Sequence, residues 1–180
     1  MSDGGGSGRD NAPGDNDGDR FARLPATDAE REDPGRATRE EIIEWWRDRF
    51  GIDAETFADH TFWEKGAGKI WVLAGDAPDG LRIEALGMRV MHTRQEFWKP
   101  TTNAVQRFGR DASTGTIELG PDRARRFVAG EDQEIPWDGD WGYVVATRAV
   151  AGGDEPLGVG LYTHGELKSM VSKGRRRDLR

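Results

Sequence analysis

The chain has 180 residues with 33 Asp and Glu against 26 Lys and Arg, so it holds at most a pair of small domains and lacks the strongly basic balance usual in nucleic-acid binders. It contains no cysteine, which excludes disulfides, thiolate zinc sites and thiol nucleophiles. No apolar run approaches the roughly 18 residues of a membrane span, and the N-terminus shows neither half of a secretory signal, so a soluble cytoplasmic protein is expected.

The first 37 residues are rich in Gly, Asp, Pro and Arg, with Phe21 and Leu24 almost the only sizeable apolar side chains, which predicts a disordered acidic tail. Subtracting its 9 acids and 5 bases leaves 24 acids and 21 bases in residues 38–180, a mildly acidic remainder. Thr38 followed by Glu41 has capping-box spacing. Ile42, Ile43, Trp45, Trp46 and Phe50 then recur at three- and four-residue intervals before Gly51, which predicts a three-turn helix whose aromatic stripe faces the core. A short helical turn over 53–58 precedes a hairpin, 61–64 and 70–73, around Gly66-Ala67-Gly68.

The turn signal Ala77-Pro78-Asp79-Gly80 marks a boundary. Beyond it come an extended run over 81–91 broken at Gly87, a helix over 102–108 ending at Gly109, and a strand over 116–119. Pro121 at the first position and Gly130 just past the end bound a helix over 121–129. Strands over 143–150 and 157–162 flank the turn-rich 151–156, and a last strand over 166–171 leads into a basic terminus. The expected organisation is a tail at 1–37, a helix-plus-hairpin module at 38–80 and a β domain at 81–180. Many short strands with a few small helices imply an α+β fold, a mostly antiparallel β-barrel with short helices.

Little in the chain suggests chemistry. His60, His92 and His164 lie in unrelated segments without ligand spacing, and neither Ser113 nor Ser169 sits in a nucleophile-elbow frame. Gly158-Val159-Gly160 resembles half of a dinucleotide fingerprint but lies in β-type sequence, where it implies a bend or a close backbone approach. No enzyme, metal or cofactor is expected.

Two stretches leave cations without a structural task. In residues 97–109, Pro100 keeps Lys99 extended, Thr101 or Thr102 caps the next helix, and Val105 and Phe108 face the core; Lys99 and Arg107 remain for solvent or phosphate. At the other end Lys168, Lys173, Arg175, Arg176 and Arg177 fall within ten residues, and Arg180 adds one more. Lys168, Lys173 and Arg175 lie along the last strand and its exit and suit phosphate contacts, whereas Arg177 and Arg180 read as a solvated end. Only 5 of the 26 cations are Lys, and Asp is abundant, the balance of a halophilic protein. In molar salt the Debye length is about 3 Å, so net charge says little about partners while short bidentate Arg contacts keep their value.

Six blocks in order then suggest a family: Lys-Pro-Thr-Thr-Asn-Ala-Val-Gln-Arg-Phe-Gly at 99–109, Ile-Glu-Leu at 117–119, Arg-Arg-Phe-Val-Ala-Gly-Glu-Asp at 125–132, Trp-Gly-Tyr-Val-Val at 141–145, Pro-Leu-Gly-Val-Gly-Leu at 156–161, and Leu-Lys-Ser with Lys-Gly-Arg-Arg at 167–176. Residues 81–177 resemble the C-terminal PUA-like domain of the Sun/Fmu-type RNA cytosine-5 methyltransferases, and residues 52–73 look like the small segment that often precedes it. The resemblance implies a PUA-like barrel that binds structured tRNA or rRNA, in RNA modification or ribosome biogenesis. The RNA contacts expected from it and from the idle cations are Arg94, Lys99, Thr101, Arg107, Lys168, Ser169, Lys173, Arg175 and Arg176. In that family methyl transfer uses a separate Rossmann-like domain with catalytic cysteines. A chain without cysteine is therefore expected to be non-catalytic, with a separately encoded RNA methyltransferase as a partner. The alternative, suggested by seven tryptophans, is a protein-interaction subunit of a larger complex.

Overall fold

The computed structural model describes Gly18 and residues 20–176, so the expectations for residues 1–17, Arg177 and Arg180 lie outside the described residues. Residues 20–37 depart from the tail that their composition predicts. Phe21 is fully buried, and strand β1 (Ala22–Arg23) pairs antiparallel with β2 (His60–Glu64). Arg36 Nε donates to Glu64 Oε2 at 2.8 Å, and the same carboxylate, 6 % exposed, accepts the Gly68 N–H at 2.7 Å. Composition counts apolar residues; it does not register that Phe21 and Leu24 each fill a core site and that an ion pair fixes the segment between them and the first helix.

Helix α1 (Arg39–Phe50) begins at the expected cap: the Thr38 hydroxyl accepts the Glu41 N–H at 3.1 Å while the Glu41 carboxylate accepts the Thr38 N–H at 3.0 Å. It ends at Gly51, whose φ of 62° is the left-handed conformation that glycine adopts without steric cost. Ile42, Trp46 and Phe50 are fully buried. The hairpin of β2 and β3 (Lys69–Ala74) alternates: Phe62, Ile70 and Val72 join the core under α1, and Trp63 and Trp71, directly opposite each other, face the cluster around Phe21 and Leu86. Strand β4 (Met88–His92) and the two-residue β5 (Lys99–Pro100) complete an antiparallel sheet in the order β1-β2-β3-β4-β5.

Helix α2 (Thr102–Phe108) is capped by Thr101 and leads to the second sheet. Its elements are β6 (Thr116–Glu118), helix α3 (Pro121–Ala129), β7 (Gln133–Glu134), β8 (Gly142–Val150), β9 (Gly153–Thr163) and β10 (Glu166–Ser169), in the order β6-β8-β9-β10-β7. Only β6 and β8 pair in parallel, because α3 carries the chain back between them. Strand β9 starts at Gly153 rather than after Pro156: Gly153, Asp154, Glu155 and Pro156 pair with Val150, Ala149, Arg148 and Thr147, which leaves Ala151 and Gly152 as the turn, and Leu157 is the extra residue of a bulge opposite Ala146 and Thr147.

Gly158 and Gly160 do serve a close approach, though by side chains rather than by a second backbone. A Cβ at Gly158 would lie 3.2 Å from Thr102 Cγ2, and one at Gly160 would lie 2.5 Å from Leu167 Cδ1. On one face of the second sheet Val145 and Val159 enter the core of Trp46, Phe57 and Phe108; on the other, Val144, Ala146 and Leu167 pack with Phe127 of α3. The expected boundary at residue 80 is therefore displaced: the first sheet runs on to Pro100, and one core joins it to the second. The fold is α+β, two curled, mostly antiparallel five-stranded sheets with short helices, as a PUA-like protein requires. Among the described residues no helix is long and apolar enough to cross a membrane.

A candidate nucleic-acid groove

The register of the first sheet sets Lys69, His92 and Lys99 in one row across β3, β4 and β5. Side chains directly opposite on neighbouring strands stand about 5 Å apart, so three basic groups share one face. Arg89 lies on the same strand as His92, and together with Gln95, Lys99, Thr101 and Asn103 they form one wall of a groove of about 380 Å³. The other wall comes from the second sheet and its exit: Val159, Met170, Ser172 and Arg175. Among the described residues no carboxylate lines it. A second groove of about 480 Å³, with Gln106, Gly174 and Arg176, shares Thr102 and Arg175 with the first, so the two are adjacent.

The electrostatics of the row are visible at His92. Burial, then the charges of Arg89, Lys69 and Lys99, hold its imidazole below the usual histidine range, because a further positive charge among cations is unfavourable. An anion in the groove would reverse that balance. The chemistry on offer is recognition of a polyanion by an ammonium, two guanidiniums and a titratable imidazole, with amide and hydroxyl groups between them.

Of the residues expected to contact RNA, the fold brings Lys99, Thr101 and Arg175 together in the first groove and Arg176 into the second. The Thr101 hydroxyl is already committed, donating to the Arg89 carbonyl at 2.7 Å and accepting the Ala104 N–H at 3.2 Å, so it shapes the groove more than it binds. Arg176 Nε donates to the Val171 carbonyl at 3.2 Å and lies over Gly130. Arg94, Arg107, Lys168 and Lys173 line neither groove. Arg94 lies against Gly68, Arg107 sits over the Phe108 ring, Lys168 pairs with Glu166 at 3.6 Å on β10, and Lys173 is exposed on the closing turn.

Ser169 is a correction: its hydroxyl donates to the Phe127 carbonyl at 2.7 Å and is buried, so it holds α3 to β10 and is closed to a ligand. Strand alternation carries that signal, since Leu167 points inward and Ser169 shares its face. Sequence reasoning misses Arg89, His92 and Gln95 altogether; only the pairing of β4 with β3 and β5 reveals the row.

Comparison with known families divides the chain. Residues 8–87 match a family of unknown function (DUF7122), so the match includes much of the segment whose composition suggests a tail. No curated protein matches the chain. Residues 114–177 match the methyltransferase RsmF PUA domain, so the second sheet with α3 and the closing turn is similar to a PUA domain carried by a methyltransferase, and the likeness starts at 114 rather than at the expected 81.

Proposed function

We propose that this protein is a non-catalytic RNA-binding protein that recognises structured tRNA or rRNA, in RNA modification or ribosome biogenesis, through the groove between β5, α2 and the closing turn. One observation carries the reading: Arg89, His92 and Lys99 from the first sheet meet Arg175 from the PUA-like half in a groove that no carboxylate of the described residues lines, although the chain as a whole carries a charge of −7. Structured RNA is recognised mainly through shape, phosphates and the 2′-hydroxyls of its shallow minor groove. Short contacts of this kind need a local cluster rather than a basic average. Gln95, Asn103 and Ser172 supply partners for hydroxyls beside the cations.

The likeness of residues 114–177 to a methyltransferase PUA domain supports a place beside such an enzyme, and a chain without cysteine lacks the thiol that cytosine-5 methyl transfer uses in the resembling family. The protein-interaction reading draws on the tryptophan load, but of the seven tryptophans Trp141 alone is exposed. Fluorescence anisotropy with folded tRNA and an rRNA hairpin, measured across a salt series, tests the proposal. Wild type should bind with affinity that falls as salt rises, and Lys99→Glu combined with Arg175→Glu should lose at least about tenfold and flatten the salt slope by about two. A correctly folded double variant that binds as wild type does would sink it.

A further inference from the structure

Beside the basic groove lies an aromatic one. Among the described residues the exposed large apolar side chains are Ile83, Phe97, Trp141 and Val150, and two of them, Phe97 at 71 % and Trp141 at 60 % exposure, line one groove of about 710 Å³. Trp45, Trp98 and Tyr143 line it with them. Isolated exposed apolar residues need no explanation, but two exposed aromatic rings on one groove do.

Trp141 is exposed yet held in place. The Arg49 guanidinium, reaching from α1, is committed to three backbone carbonyls around it: Nη2 donates to Asp140 at 3.0 Å, Nη1 to Trp141 at 3.4 Å, and Nε to Tyr143. On its other side the indole meets the His164 ring nearly edge-on, with centroids 4.2 Å apart. His164, at φ 51°, is alone among the described non-glycine residues in having a positive φ; with Gly165 it forms the tight turn between β9 and β10, at a position that favours Asn, Asp or Gly. A half-buried arginine thus fixes the backbone that carries Trp141, and the His164 ring packs against its indole, so a solvent-facing ring is held in place for a ligand.

The two grooves are neighbours. Gln95 and Lys99 line the basic groove while Glu96, Phe97 and Trp98 between them line the aromatic one. Strand β9 likewise gives Val159 to the first and Leu161 to the second, about 7 Å further along, or roughly two stacked nucleotides. Resting on the RNA-binding reading, we infer that the aromatic groove takes unpaired nucleobases of the same RNA, stacked on Phe97 and Trp141, while the adjoining phosphates occupy the basic groove. Stacking on flat rings accepts any base, so this subsite selects for a single-stranded extension beside a helix and not for a sequence.

The test uses the full chain and two RNAs, a blunt hairpin and the same hairpin with a single-stranded extension. The extension should raise wild-type affinity at least about tenfold, a gain in keeping with stacking of one or two bases. Phe97→Ala combined with Trp141→Ala should abolish that gain while leaving blunt-hairpin binding and its salt slope unchanged. Trp141→Phe, which keeps a ring, should retain most of it. An extension that changes nothing, or a gain that survives the double variant, overturns the inference while leaving the RNA-binding reading standing. Failure of wild type to bind either RNA removes both. Sedimentation that finds RNA-free dimers, dissociated by the double substitution, assigns the groove to a second copy of the chain and also overturns it.

Discussion

His92 stands between Lys69 and Lys99 in the cross-strand row, and that position sets its chemistry. Burial and the cations around it favour the neutral imidazole in the free protein. A phosphate in the groove favours the protonated form instead, so the complex holds more protons than its separated parts and binding tightens as pH falls. At constant ionic strength, RNA affinity should rise between about pH 7.5 and 5.5, and His92→Gln should flatten the rise. Identical pH profiles for the two proteins would place His92 outside the contact. Lys99 and Arg175 are legible from sequence because Pro100 and the end of the last strand leave them no structural partner. Arg89 and His92 are not, because an extended run does not disclose which residues of other strands lie opposite it.

At the scale of elements, the three helices are legible because their ends carry their own chemistry: the Thr38 and Glu41 box, the Thr101 cap, and Pro121 with Gly130. Strands β1, β5 and β7 have two residues each and exist only through their partners, so no local pattern announces them. The glycines of β9 are legible as a point of close approach but not as to what approaches. Leu167 and Val144 leave no room at Gly160, with a Cβ there falling 2.5 Å and 3.2 Å from their side chains. Gly160→Val should therefore destabilise the protein by about 1 to 3 kcal/mol in urea unfolding, with the slope against urea unchanged. A variant as stable as wild type would mean that Leu167 and Val144 leave room for a side chain at position 160.

At the scale of the molecule, the limits of the two family matches are not limits of folding. The core runs from Trp46 and Phe57 through Phe108 to Val145 and Val159, crossing residues 88–113 that neither match covers. The protein should unfold in one cooperative transition seen alike by tryptophan fluorescence and by far-ultraviolet circular dichroism. A fragment of residues 114–177 should lack fixed tertiary packing, because Val145 and Val159 lose their cover. Two separated transitions would show that each half is stable alone. The same continuity builds the groove, since one wall comes from β4 and β5 and the other from β9 and the closing turn.

Hydrogen–deuterium exchange of the whole protein with and without a folded tRNA tests this central claim most directly. Bound RNA should slow exchange together in residues 88–103 and 170–176, which form the two walls. Protection confined to one wall, or protection that appears only on other faces, would contradict a binding groove shared by the two halves.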